Sequence, residues 1–202
     1  MSEVIVDTLK HTGNNSTANL TLASNGNVTA AAALSATSFT GDGSALTGTG
    51  LFSSYALICD EKTEDTDGGT TSAGDWFKRD LNTEIADPDS IVSISSDQFT
   101  LGAGNYLIKW SVPNYKSTYT STRLYDTTNS AVVGQGSNAY ANTSGIEHVT
   151  SFGQCRVTPT GSTVYELQNR VSTGNANTGC GRANDFTGVP ERYSFVEIYK
   201  EA

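Results

Sequence analysis

The sequence predicts an all-β protein, in which an N-terminal segment of short β units precedes a jelly-roll β-sandwich. Only 16% of the residues are charged, and the chain has 20 glycines but one methionine. Its bulky residues are mainly valine, isoleucine, tyrosine and phenylalanine, beside many threonines, which favours sheets over long helices. The clearest pattern is residues 99–112, where a Gly-Ala-Gly turn precedes Tyr106, Ile108, Trp110 and Val112 at alternate positions. Trp110 lies in the middle of this apolar face, which predicts a central core strand.

The charge pattern argues against nucleic acid and membrane as partners. The formal net charge is -9, and the 12 lysines and arginines are scattered, whereas phosphate binding requires clustered basic side chains. The N-terminus lacks the basic start and apolar core of a signal peptide, and the apolar run at residues 30–34 is too short to cross a bilayer. We therefore expect a protein that is made and folded in a cytoplasm.

Residues 1–50 differ in composition from the rest of the chain. They contain no Trp, Tyr, Cys or Pro, and short apolar units at 4–6, 19–22 and 27–30 indicate brief strands. Such a segment buries too little apolar surface to offset its own ordering entropy. We expect it to wrap around copies of itself, as three chains about a threefold axis would, or around a partner. A flexible linker is the alternative.

A ten-residue element, Phe39-Thr-Gly-Asp-Gly-Ser-Ala-Leu-Thr-Gly48, follows these units. Together with them it resembles the N-terminal and neck regions of phage tail-fibre and related virion fibre proteins, particularly those of marine and cyanobacterial phages. This resemblance implies that residues 1–50 form a virion-anchoring segment and trimeric neck, docked on another virion protein. It also implies a distal head, and location in a virion assembled from protein made in the host cytoplasm.

Residues 51–202 carry every Trp, Tyr, Cys and Pro of the chain, and we place the domain boundary near Gly50. Short β-patterned segments recur there, separated by turns rich in Gly, Asn, Asp and Pro. These segments are residues 54–59, 76–81, 91–94, 99–112, 122–126, 131–133, 146–158, 163–171 and 193–199. About nine strands at this spacing predict a β-sandwich or jelly-roll head domain.

The closing strand is apolar on both faces. Val196 and Ile198 occupy one face, and the aromatic residues Tyr193, Phe195 and Tyr199 occupy the other. One face can join the sandwich core, and the other then needs a partner. We expect the three aromatic residues to form a threefold interface between copies of the chain. The alternative is a strand that is buried on both faces within one monomer.

The pattern Phe99-Thr-Leu-x-Ala-Gly-x-Tyr106, with an aromatic and aliphatic C-terminal strand, resembles the trimeric jelly-roll heads of the complement and tumour-necrosis-factor class. Residues 75–83, followed by the hairpin at 99–112, also resemble C-terminal head domains of phage fibres. Both resemblances imply a homotrimer. The sequence departs from the animal proteins in having no collagen-like Gly-x-y stalk before the head, which the phage resemblance does not require.

The sequence contains no catalytic constellation, and we expect no enzyme, no metal and no cofactor. His11 and His148 are too far apart in sequence for a zinc site within one chain. The acidic residues 60–67 depart from the calcium-loop spacing, so we expect a solvated loop, with calcium binding left open. Nucleophile-elbow, phosphate-loop and dinucleotide motifs do not occur. The three cysteines are expected as reduced, mostly buried thiols, with a Cys155–Cys180 disulfide as the alternative.

Loops at one end of the jelly roll are the predicted binding surface, because such loops vary freely while the scaffold holds them. Tyrosine beside asparagine and serine suits polar, sugar-like ligands. The candidate loops are residues 113–119, 136–140 and 174–188. The candidate receptor-facing residues are Tyr115, Tyr119, Tyr140, Arg182, Asp185 and Phe186.

The sequence therefore predicts a homotrimeric virion structural protein, a short or accessory tail fibre that adsorbs to a host surface glycan or protein through its head loops. A capsid decoration or cement trimer, held through residues 1–50, is the first alternative. A small polysaccharide hydrolase is the second, and it requires two carboxylates close together in a groove.

Overall fold

The computed structural model describes residues 8–9, 20–22, 28–30, 51–142, 147–184 and 186–202. The chain divides into two compact units, residues 1–46 and residues 47–202. Every regular element in the described residues is a β-strand, and none of these residues belongs to a helix long and apolar enough to span a membrane. The element at residues 39–48 and the short apolar unit at 4–6 lie outside the described residues.

The first unit contains a small antiparallel sheet. Its strands are β1 (Thr8–Leu9), β2 (Leu20–Leu22) and β3 (Val28–Ala30), in the order β1-β2-β3. Strands β2 and β3 pair in the register Leu20 to Ala30 and Leu22 to Val28. The two units that the sequence predicted at 19–22 and 27–30 are therefore strands paired with each other.

The described part of residues 51–202 forms two antiparallel sheets from twelve strands. They are β4 (Phe52–Lys62), β5 (Phe77–Lys78), β6 (Thr83–Ala86), β7 (Val92–Ser95), β8 (Gln98–Leu101), β9 (Tyr106–Tyr115), β10 (Thr118–Asp126), β11 (Ala131–Gln135), β12 (Ala139–Ala141), β13 (His148–Val157), β14 (Thr163–Val171) and β15 (Glu191–Glu201). The five-stranded sheet has the order β13-β9-β15-β4-β6. The seven-stranded sheet has the order β11-β10-β14-β8-β7, with β12 beside β10 and β5 beside β14.

The connections between the sheets define a jelly roll. The chain passes from β8 in one sheet to β9 in the other and back to β10, and it alternates again through β13, β14 and β15. Alternation of this kind between two packed antiparallel sheets is the double Greek key of the jelly roll. The predicted fold class is therefore confirmed for the head.

The core lies between the two sheets, and β9 runs through it as predicted. Tyr106, Ile108, Trp110 and Val112 are all buried, while the residues between them are partly exposed. The seven-stranded sheet covers them with side chains that include Phe99, whose ring stacks on Tyr165 at a centroid distance of 5.6 Å. Strand β9 lies between β13 and β15, which makes it a central strand.

Candidate functional site

Strand β15 places an aromatic row at the centre of the outer face of the five-stranded sheet. The strand lies between β9 and β4, and Val196 and Ile198 point into the core with no exposed surface. Phe195 and Tyr199 alternate with them and are half-buried on the opposite face. The period of two that the sequence showed is therefore present from residue 195 onward.

Tyr193 departs from this pattern, and its predicted place in an exposed interface is corrected. The pairing of β15 with β4 shifts register between Arg192 and Phe195, so Tyr193 and Ser194 are both buried. The Tyr193 hydroxyl donates to the carbonyl oxygen of Thr66 at 2.7 Å. Burial, followed by nearby carboxylates, raises the pKa of Tyr193. The chain's own loops cover this ring, which is therefore not available to a second copy.

Two further rings extend the aromatic row across the same sheet. Tyr55 on β4 pairs directly with Tyr199 and is 49% exposed, and Phe152 on β13 is 61% exposed. We call Tyr55, Phe152, Phe195 and Tyr199 the aromatic face. A shallow depression of about 320 Å³ lies between Tyr55, Phe195 and Tyr199. Exposed apolar surface that is contiguous across several strands is typical of an interaction site.

Two charged groups of opposite sign lie within the aromatic face. Glu197 follows Phe195 on the same side of β15, and its carboxylate accepts a hydrogen bond from the Tyr199 hydroxyl at 2.6 Å. This hydrogen bond, with partial burial, raises the pKa of Tyr199. Lys109 on β9 places its ammonium 5.6 Å from the centre of the Tyr199 ring. The face therefore combines apolar rings with a cation and an anion close to each other.

The predicted receptor-facing residues fall in separate places. Tyr119 on β10 and Tyr140 on β12 are exposed side by side, with ring centroids 5.2 Å apart. Arg182 is exposed in a different depression, of about 430 Å³, where its backbone N–H donates to His148 Nε2 at 3.1 Å. Phe186 is exposed in the following turn, and Asp185 lies outside the described residues. The structure thus brings the two tyrosines together and separates them from Arg182.

Tyr115 was predicted to face a receptor, and this prediction is wrong. Its side chain is only 6% exposed, and its ring packs against His148 at a centroid distance of 5.5 Å. Its carbonyl oxygen accepts a hydrogen bond from the side-chain amide of Asn175 at 3.1 Å. Tyr115 therefore holds the end of β9 against the loop after β14 and does not contribute to the surface.

The acidic segment 60–67 is also different from the solvated loop that the sequence predicted. Asp60 belongs to β4 and is buried, with Lys62 Nζ at 2.9 Å from its carboxylate, and burial raises the pKa of Asp60. Glu64 and Asp67 accept backbone N–H groups from residues 188 and 183 at 2.7 Å and 2.9 Å. These carboxylates tie down the loop after β14. Among the described residues no group of three or more metal-ligating side chains is found.

The three cysteines are free thiols, so the alternative Cys155–Cys180 disulfide is not formed. Cys59 and Cys180 are buried, and Cys155 is partly buried. Burial raises the pKa of Cys59 and of Cys155 to about 11. All three are therefore protonated and poorly nucleophilic at neutral pH.

Sequence reasoning missed a second surface, on the outer face of the seven-stranded sheet. A shallow depression of about 530 Å³ is bordered by Trp76, Tyr119 and Arg170, with the hydroxyls of Ser121 and Ser172 between them. We call it the Trp76 depression. Trp76 was predicted to begin a strand, but β5 covers only Phe77–Lys78, and Trp76 precedes it. The alternation of residues 119, 121, 123 and 125 along β10 was the available signal that they share one outer face.

No protein-family model and no curated protein matches the chain. Several solved structures have a similar fold. Murine APRIL at pH 5.0 is 9% identical, with a TM-score of 0.48, over 73% of this chain and 98% of that one. Eiger TNF from S. frugiperda is 12% identical, with a TM-score of 0.49, over 73% and 92%. The globular domain of zebrafish complement 1qA protein is 11% identical, with a TM-score of 0.45, over 73% and 95%.

Proposed function

We propose that this chain is a homotrimeric virion fibre protein whose jelly-roll head binds a glycan or protein on a host surface. Residues 1–50 attach it to another virion protein in this proposal, and the protein acts by binding without catalysis. The aromatic face is the observation that supports self-association. It extends from β13 across β15 to β4, and Tyr55 and Phe152 on it are 49% and 61% exposed.

The composition of the aromatic face favours a second copy of the chain as its partner. Lys109 and Glu197 give the face one charge of each sign, so that copies related by rotation can bring opposite charges together. The rings supply apolar area whose removal from water contributes about 25 cal/mol per Å². The sequence resemblance to trimeric jelly-roll heads favours three copies over two.

The opposite sheet is the surface that we assign to the host. Tyr119 and Tyr140 on the seven-stranded sheet stay exposed when the five-stranded sheet is covered. A trimer would then present three such surfaces at once, and weak sites acting together raise the overall affinity. The residues that line the Trp76 depression include hydroxyls and Arg170 but no carboxylate, which disfavours the hydrolase alternative there.

The location in the virion is tested by electron microscopy with an antibody raised against residues 51–202. The proposal expects label at the tail of particles that carry the protein. Label restricted to the capsid would support the decoration or cement alternative. Purified virions that carry no label would contradict a virion protein of either kind.

A further inference from the structure

We propose that the Trp76 depression binds a carboxylated sugar residue of a surface polysaccharide, with the sugar ring against Trp76 and Tyr119 and its carboxylate on Arg170. This inference rests on the proposed function, because it names the class of ligand that the head takes. It concerns residues that lie together only after β10 and β14 have paired.

The segment before Trp76, on one side of the depression, is held in place by backbone contacts with β14. Ala73 forms a bridge to Val171 at the end of β14, and the N–H of Gly74 donates to the Val171 carbonyl at 3.0 Å. Gly74 has a φ of +101°, a left-handed value that favours glycine. The chain turns there, and Trp76 follows two residues later, beside β10. The depression is therefore a preformed feature at the start of β10 and the end of β14.

Trp76 is partly exposed, and Arg123 packs against its ring. The Arg123 guanidinium lies 4.2 Å from the centre of its ring, and Arg123 Nε donates to Gln168 Oε1 at 2.6 Å. The indole N–H has no hydrogen-bond partner among the described residues, so it is free to donate to a ligand. Aromatic rings with a free polar edge suit the apolar face and hydroxyl groups of a pyranose.

Arg170 supplies the charge that selects an anionic sugar. It is exposed on β14 and makes no ion pair or hydrogen bond through its side chain within the described part of the chain. Burial lowers the pKa of the neighbouring Arg123, whereas Tyr125 and Glu166 raise it. The positive charge of Arg170 is close enough to lower the pKa of Arg123 further. A free guanidinium binds a carboxylate through two parallel hydrogen bonds. A neutral sugar would leave that guanidinium unpaired.

The remaining polar groups at the site fit this assignment. Ser172 Oγ accepts the Tyr119 N–H at 3.0 Å and keeps its own hydroxyl hydrogen to donate. The nearby carboxylate of Glu166 is already engaged by the side-chain amides of Gln98 and Gln168. Asp75 adjoins Trp76 in sequence but does not line the depression. Ser121 Oγ already donates to Asn138 Oδ1 at 3.1 Å, so toward a ligand it can only accept. The groups left to donate are therefore the Ser172 hydroxyl, the Trp76 indole N–H and the Arg170 guanidinium.

The test measures binding of the full-length protein to oligogalacturonate and oligosialate by calorimetry. Carboxyl-reduced oligogalacturonate and poly-glutamate serve as the uncharged sugar and the charged non-sugar. We expect at least one acidic glycan to bind, and carboxyl reduction to weaken it about tenfold or more, since charge-assisted hydrogen bonds are lost. Equal binding of the reduced sugar or of poly-glutamate would overturn the proposal, as would failure of both acidic glycans to bind.

Variants locate the binding within the molecule. Arg170→Gln and Tyr119→Ala change exposed side chains, and each is expected to weaken acidic-glycan binding about tenfold. The matched control is Arg156→Gln, which removes the same charge from the five-stranded sheet, where Arg156 pairs with Glu201. An equal loss in an Arg156 variant that keeps the wild-type mass would overturn the site, because it would indicate attraction by overall charge. If the protein is a trimer but binds no acidic glycan, the sugar site is contradicted and the trimeric fibre is not. If the protein binds the glycan as a monomer, the trimeric fibre is contradicted and the sugar site is not.

Discussion

Trp110 is buried in the core and still satisfies its one polar group. Its indole N–H donates to Thr122 Oγ1 at 3.0 Å, and Thr122 shares a hydrogen bond with Ser151 Oγ at 2.7 Å. Ser151 in turn donates to the Ser137 carbonyl at 2.6 Å. This chain of hydrogen bonds links three strands and a loop around one ring, so the space beside the ring is tightly defined.

Gly153 is the position where that space is smallest. It pairs with Trp110 across β9 and β13, and a Cβ atom there would lie 2.0 Å from the indole ring. Gly153→Ala should therefore lower the free energy of unfolding by roughly 1–3 kcal/mol, or more if the ring cannot move. Urea unfolding measures this. Gly161→Ala is the control, because nothing lies within 4 Å of the added atom, and a similar loss in both variants would contradict the steric explanation.

The burial of the thiols predicts how their reactivity depends on pH. Because the pKa of Cys59 and of Cys155 is raised to about 11, their reactive thiolate forms stay scarce until the pH approaches that value. Iodoacetamide at pH 8 should label the native protein slowly, faster as the pH rises toward 11, and fully after denaturation. Mass spectrometry counts the labels. Rapid labelling of native Cys155 at pH 8 would contradict the described burial.

At the scale of elements, the alternation of β9 and β15 could be predicted because it is a local property of the sequence. The residues whose positions differ from the prediction do so because of contacts between segments that are far apart in the chain. Tyr193 is covered by the loop that contains Thr66, and Asp60 became a strand residue because β4 continues to pair with β15 as far as Glu191. No pattern within ten residues of either position carries that information.

The Trp76 depression was beyond sequence reasoning for the same physical reason. It needs the register that places Ser121 opposite Arg170, and the turn at Gly74 that brings Trp76 beside them. The sequence around each of these residues looks like that of an ordinary strand or turn. Among the residues that line the depression, only Tyr119 was predicted as a candidate for binding, from the composition of its loop. The jelly roll itself was predictable, since it depends on the number and spacing of strands.

Strand β15 carries the sharpest test of the aromatic face. Phe195→Glu adds a second carboxylate beside Glu197 on the outer surface and leaves the core residues Val196 and Ile198 in place. We expect a folded protein with the mass of a single chain, measured by light scattering beside a circular-dichroism spectrum. Phe186→Glu introduces the same charge on another exposed phenylalanine and should remain trimeric. If both variants keep the wild-type mass, the aromatic face is not what holds the copies together.

At the scale of the whole head, the two sheets have separate tasks. The five-stranded sheet would join the copies, and the seven-stranded sheet would hold the ligand. A monomeric Phe195→Glu variant should then bind a short acidic oligosaccharide as well as the wild type does. It should dissociate from a polysaccharide-coated surface about 100-fold faster or more, because avidity is lost. Biosensor dissociation rates measure this, and equal rates for the two proteins would contradict the division of tasks.

The mass of the full-length protein in solution, measured by light scattering over a range of concentrations, tests the proposed trimer directly. If the aromatic face is covered by two further copies of the chain, we expect three times the chain mass of 21.3 kDa. A stable mass of one chain at every concentration would show that the aromatic face stays open to water, and it would contradict the trimeric fibre.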